Sequence, residues 1–217
     1  MLDFSILTNH LPEYGEGFLN TIKASVFALL GSFVLGTIIA VFRISGFKPL
    51  RLIGAAYVEF IRNIPILIVV LFFFLGLPSL GFKLDGFQAG TLGLTVYTAA
   101  FIAEAIRAGI QSVPAGQTEA ARSSGMTYMQ TMLHVVLPQA IKLVIPPLSN
   151  QFINLIKNSS VLTIVSGFDL MYFADIISSE TYVTFSTYIF AAVFYLLLTL
   201  PLSFAALALE KRLARSA

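Results

Sequence analysis

Few side chains in this sequence can recognise a polar molecule, and most of them fall in one stretch, Ser149-Asn150-Gln151-Phe-Ile-Asn154-Leu-Ile-Lys157-Asn158-Ser159-Ser160. Asn150, Asn154, Lys157 and Asn158 recur at the spacing of one helix face, with Gln151 beside them. The amides both donate and accept hydrogen bonds, and a lysine ammonium attracts carboxylates. Such a set binds a polar solute rather than breaking its bonds, and no catalytic or metal-ligating constellation is expected elsewhere in the chain. Lys157 sits near the middle of the apolar zone running from Lys142 to Asp169. An ammonium at that depth costs roughly 2.5–3.5 kcal/mol on insertion scales, which demands a partner or a function. The competing reading is a hydrogen-bond network between helices, with Lys157 reaching outward to headgroups. Tyr97 and Thr98 fall near the middle of the membrane as well, where they are able to face a cavity.

These groups must be held by elements that live in an apolar solvent. The chain is 57% hydrophobic and only 11% charged, against roughly 25% charged in soluble domains. Windows 24–42, 63–82, 86–103, 143–156 and 181–209 contain no Asp, Glu, Lys or Arg. A spanning helix needs about 20 apolar residues. The windows therefore predict five membrane helices, at 18–43, 58–82, 86–110, 140–165 and 182–209, in a single domain covering 1–217. Lipid leaves unpaired backbone without partners, so the expected fold class is an all-α membrane protein.

Arg43, Lys48, Arg51, Arg62, Arg107, Arg122, Lys142, Lys211, Arg212 and Arg215 share one side if the first span runs inward. Of the 13 basic residues, only Lys23, Lys83 and Lys157 lie elsewhere. That bias predicts the N-terminus outside and the C-terminus in the cytoplasm. Cysteine is absent, which excludes disulfides and thiolate metal sites.

Several local features bear on mechanism. Residues 1–22 lack a basic n-region, do not read as a signal peptide, and suggest a segment lying on the outer interface. Gly31 to Thr37 falls short of a nucleotide-binding loop for want of a lysine, and reads as close helix packing. Glu59 with Arg62, and Glu104 with Arg107, are three residues apart and able to pair on a helix face. They read as ion pairs or gate elements, with Pro65 loosening the helix near a cytoplasmic gate. Pro146-Pro147 removes two helical hydrogen bonds, at about 3 kcal/mol each, and predicts a broken helix beside the polar stretch. Residues 169–180 read as an outer loop or short helix.

One polar segment stands between the apolar blocks: Glu119-Ala-Ala-Arg-Ser-Ser-Gly125, continuing to Leu137-Pro138. Pro114 suits the start of a short helix, and Gly125 suits the left-handed residue that ends one. Thr127 and Gln130 match a capping box for a second helix. Ala120 and Ala121 predict a flat, small-residue face turned outward for a protein partner.

Glu119, Ala120, Ala121, Gly125, Val135, Leu137 and Pro138 fall at the spacing of the EAA loop, and the segment resembles that loop in permease subunits of ATP-binding-cassette (ABC) importers. The family's usual isoleucine is Val135 here. With Glu59-x-x-Arg62-x-x-Pro65, Ile102 to Gly109 and Lys157-Asn-Ser-Ser160, nearly the whole length is similar to polar amino acid permeases, the histidine, glutamate, glutamine, arginine and opine group. The resemblance implies a type I importer (MetI-like) fold with a coupling loop at 111–137, in a bacterial cell membrane. It implies ATPase subunits carrying ATP and Mg, a second permease of the same or related sequence, and an extracellular or periplasmic amino-acid-binding protein. No cofactor is expected in this chain.

ATPase docking then falls to Glu119, Ala120, Ala121, Gly125, Leu137 and Pro138. Substrate contact falls to Tyr97, Asn150, Gln151, Asn154, Lys157 and Asn158. A site for arginine or lysine would hold an acid, and this stretch has none, so glutamine is expected first and glutamate next. An ATP-independent transporter or channel, with Lys157 and Glu104 as coupling groups, is the alternative and leaves the loop unexplained.

Overall fold

The computed structural model describes residues 2–215 and is helical throughout, with no strand among those residues. In chain order the helices are α1 (Phe4–Asn9), α2 (Leu11–Ile44), α3 (Lys48–Arg62), α4 (Ile66–Leu71), α5 (Leu77–Ser79), α6 (Gly86–Gln111), α7 (Ala115–Ser123), α8 (Tyr128–Thr131), α9 (Leu137–Asn158), α10 (Leu170–Thr181) and α11 (Thr184–Arg215). A π-helical turn at Phe72–Gly76 separates α4 from α5, and a second, Met132–Val136, leads into α9. A 3-10 segment, Ser159–Val165, continues α9.

Four of the described helices are long and apolar enough to cross a membrane, five if α3 with α4 and α5 counts as one bent span. The second span is where the expectation of a single helix over 58–82 fails. Pro65 has no N–H to give a helix, and it disfavours helical backbone at Ile64. The chain turns extended at Pro65 and bends by 108° between α3 and α4. The proline pair in α9 acts in the opposite way: Pro146 and Pro147 lie inside a helix that runs unbroken from Leu137 to Asn158. Two adjacent prolines delete donors from a single turn, and the turns on either side continue the helix across the gap.

α6 is the hub. It packs against α2, α3, α4 and α9, and its Ala89, Ala99, Ala100 and Ala103 are completely buried. Small residues let helix backbones approach closely where lipid gives no hydrophobic drive for association. Gly36 shows the limit: a Cβ there would lie 2.9 Å from the Ala99 carbonyl oxygen and 2.8 Å from Ile102 Cγ2.

At the opposite end of the bundle from α7, the segment read as a loop or short helix is α10, twelve residues long. Asp169 caps it, accepting from the Met171 and Tyr172 amides at 3.1 and 3.4 Å. Tyr14, fully buried, donates its hydroxyl hydrogen to the Thr187 carbonyl at 2.9 Å and stacks on Phe194. Ile6, Leu170, Ala174, Ile177, Phe190 and Ala191 complete that core. α1 is pinned to α11 there by the Asp3 amide, which donates to Ser186 Oγ at 2.9 Å.

Candidate functional site

Two helices build the polar site. α6 contributes Tyr97, Thr98 and Phe101, and α9 contributes Gln151, Asn154, Leu155 and Asn158, around a cavity of about 240 Å³. On α6, four residues separate Tyr97 from Phe101, so their rings share a face, with centroids 5.1 Å apart and planes tilted by 46°. On α9, the spacing of Gln151, Asn154, Leu155 and Asn158 is the three-four repeat of one helical stripe. The lining offers amides and hydroxyls and no acid or base except the Tyr97 phenol.

Asn150 and Lys157 are not part of this lining, and both are exposed. At about 100° per residue, Asn150 is turned roughly 80–140° from Gln151, Leu155 and Asn158 and about 40° from Asn154, and Lys157 follows Asn150 after two turns. The polar face expected from the sequence is therefore two adjacent stripes, of which only one borders the cavity. Thr98, Phe101 and Leu155 complete the lining; Phe101 was legible only as an aromatic one turn from Tyr97.

Among the larger cavities, two more open ones, of about 460 and 540 Å³, carry Asp175 with Glu180 and Lys83 with Gln88 and lie at the α10 and Lys83 ends. Two others, of about 400 and 480 Å³, are lined almost wholly by aliphatic and phenylalanine side chains, with Leu29 and Leu197 in one and Ile106 and Ile141 in the other. A zwitterion placed there would leave its charges unpaired, at a cost that size does not repay.

Toward the Gln111 end of α6 the two Glu–Arg pairs diverge. Arg107 Nε donates to Glu104 at 3.0 Å, and Arg43, from the last turn of α2, grips the same carboxylate. Arg107 also donates to the Gln111 side chain. Arg43 was not expected in this cluster, because 61 residues separate it from Glu104. Glu59 and Arg62 form no ion pair, contrary to their spacing. Asn63 Nδ2 donates to the Glu59 carbonyl at 2.6 Å, and the Arg62 guanidinium lies 5.5 Å from the centre of the Phe101 ring. Pro65 sits at the bend itself, exposed.

The segment after α6 is a helix, a reversal and a second helix. α7 follows Pro114 and ends with a paired closure, Gly125 N–H donating to Arg122 and Met126 N–H to Ala121, at 3.0 and 3.2 Å. Gly125 has φ +86°, the left-handed backbone that this closure requires. Thr127 and Gln130 form the reciprocal cap of α8, at 2.8 and 3.3 Å. Glu119, Ala120 and Gly125 are exposed, but Ala121 is only 7% exposed and faces inward. The outward face is thus Glu119 and Ala120, because adjacent helical residues point about 100° apart. Pro138 is exposed, whereas Leu137 lines an apolar cavity. Among the described residues no group of three or more His, Cys, Asp or Glu is placed to hold a metal.

Residues 32–215 match the family model described as binding-protein-dependent transport system inner membrane component. A probable glutamine ABC transporter permease, GlnM of Bacillus subtilis (strain 168), is 63% identical, over 99% of this chain and 100% of that protein. The arginine transport system permease ArtQ of the same organism is 34% identical, over 98% and 97%. A crystal structure of an amino acid ABC transporter with histidines superposes with a TM-score of 0.92 at 38% identity, covering 98% of this chain and 99% of that one.

Proposed function

This chain belongs to the family of inner membrane components of binding-protein-dependent transport systems, and from that premise we propose that its polar cavity carries glutamine, with glutamate second. The chain is a permease subunit of an ABC importer and not itself an enzyme; ATP hydrolysis belongs to a separate subunit. What supports glutamine is the uncharged amide lining of Gln151, Asn154 and Asn158. Amides satisfy an amide side chain at both its donor and its acceptor. A basic amino acid would bring a cation into a lining without an acid, which is costly to desolvate. The name of the 63% identical relative points the same way.

The remaining parts fit around that cavity. The N-terminus lies outside and the C-terminus inside, in a bacterial cell membrane, so a reporter fused after Arg215 reads cytoplasmic and one in α10 reads external. An external result for Arg215 would reverse the orientation. The 111–137 segment then meets an ATPase carrying ATP and Mg, with Glu119, Ala120 and Gly125 at the contact. A second permease, identical or homologous, completes the pathway, and an external amino-acid-binding protein delivers the substrate. Closure of the ATPases would move the loop and rock the helices around the cavity.

Uptake into proteoliposomes holding this chain, its ATPase and its binding protein tests the reading. Saturable, ATP-dependent glutamine uptake is expected, slower for glutamate and slowest for arginine. Preference for arginine, or uptake indifferent to ATP, would contradict it.

A further inference from the structure

We propose that Arg62, rather than Lys157, receives the substrate's α-carboxylate; this rests on the amide-lined cavity being the amino acid site. Arg62 is the last residue of α3, immediately before the bend. Its guanidinium is set over Phe101, a lining residue of the cavity. Phe101 lies ten residues from Gln111, about 15 Å along a helix rising 1.5 Å per residue. That places the guanidinium beside the spanning part of α6, where an ionised group is read as functional.

Three further observations converge. The ion pairs among the described residues are His10–Glu13, Arg43–Glu104 and Arg107–Glu104, and none involves Arg62. The contact with Phe101 employs the ring's π face and occupies none of the guanidinium donors with a carboxylate. A planar guanidinium also matches a carboxylate with two parallel hydrogen bonds, which an ammonium does not. The neutral lining leaves an amino acid's carboxylate without a cationic partner, and Arg62 stands at that lining as a cation without an anionic one. Arg62 and Lys157 are both exposed and neither is itself a lining residue, but Arg62 reaches a lining ring, Phe101, whereas Lys157 lies on the neighbouring stripe of α9. The division of labour follows: amides of α9 for the side chain, Arg62 for the α-carboxylate.

The test is thermal protection of the detergent-solubilised permease–ATPase complex by glutamine and by glutamine α-amide, which differs only in lacking the carboxylate. The native complex should be half-protected at a glutamine concentration at least about tenfold lower than for the α-amide, the scale of a charge-assisted hydrogen-bonded pair. Arg62→Gln should reduce that preference to near unity, and Arg62→Lys should retain an intermediate one because it keeps the charge but not the fork. Arg62→Gln retaining the native preference would overturn the proposal, as would loss of the preference in Lys157→Met with Arg62 intact. If Arg62→Gln fails to assemble, Arg62→Lys decides alone, and an unchanged preference counts against the proposal. A native complex that is not protected by glutamine at all contradicts the reading of the cavity itself, and so separates that failure from failure of the Arg62 assignment.

Discussion

Gly125 is the residue whose backbone dictates its identity most sharply. Its φ of +86° is left-handed, and nothing lies within 4 Å of where a Cβ would stand, so a side chain there meets strain rather than collision. For an L-residue that conformation costs about 1–2 kcal/mol, more when the residue is β-branched, while asparagine tolerates it. Gly125→Val should unwind the closure between α7 and α8 and cut uptake at least about tenfold, since a displaced contact transmits no motion. The spans should insert as before, with ATP hydrolysis no longer driving transport. Gly125→Asn should keep most of the uptake; full uptake by Gly125→Val at native expression would remove Gly125 from the coupling role. The position was readable from the sequence because a lone glycine between a helix and a capping box has few other uses. The inward turn of Ala121 was not, since an Ala-Ala pair does not say which member faces the protein.

Among the elements, α10 carries a pH signature of its own. Burial pushes the Asp169 carboxyl up to about 6 from 3.8, opposed by the two helix amides that it caps. A carboxyl whose folded value is raised holds its proton more tightly in the fold. Its contribution is fully present below about pH 3.8 and is lost as pH rises to about 6. A shift of that size corresponds to roughly 3 kcal/mol. The stability difference between the native chain and Asp169→Asn, measured by thermal unfolding from pH 4 to 7, should therefore move against the native chain as pH rises. A difference that stays constant would show that Asp169 titrates normally. Hydropathy made the long helices legible, but it could not show that Pro65 turns the chain while Pro146 and Pro147 do not. That outcome depends on what packs beside each proline: Ile61 and Val69 seal the two sides of the bend against Ala100, whereas Val144 and Leu148 hold α9 against Ile102 across its proline pair.

At the scale of the whole molecule, α6 ties the parts together: its midsection lines the cavity, its Glu104 clamps α2 through Arg43, and its end leads directly into α7. A displacement of α7 by an ATPase would thus reach the cavity along one rigid rod. Sequence periodicity placed Gln151, Asn154 and Asn158 together, but it also enrolled Lys157 and Asn150, because a seven-residue spacing nearly repeats a helix face. It read Arg62 as a partner of Glu59 or of headgroups, since Pro65 signalled a loosened helix but not the 108° bend beside which Arg62 lies over Phe101. The central claim, that this amide-lined cavity is where the substrate is held and chosen, is tested most directly by Gln151→Glu in reconstituted uptake. With the same binding protein serving every variant, its own preference cancels from the ratio of glutamate to glutamine transport relative to the native chain. An added carboxylate repels the side chain of glutamate and not that of glutamine, so the ratio should fall about tenfold, the scale of one unscreened like-charge contact. A ratio equal to that of the native chain, at equal expression and equal ATP hydrolysis, would mean that substrate does not pass Gln151.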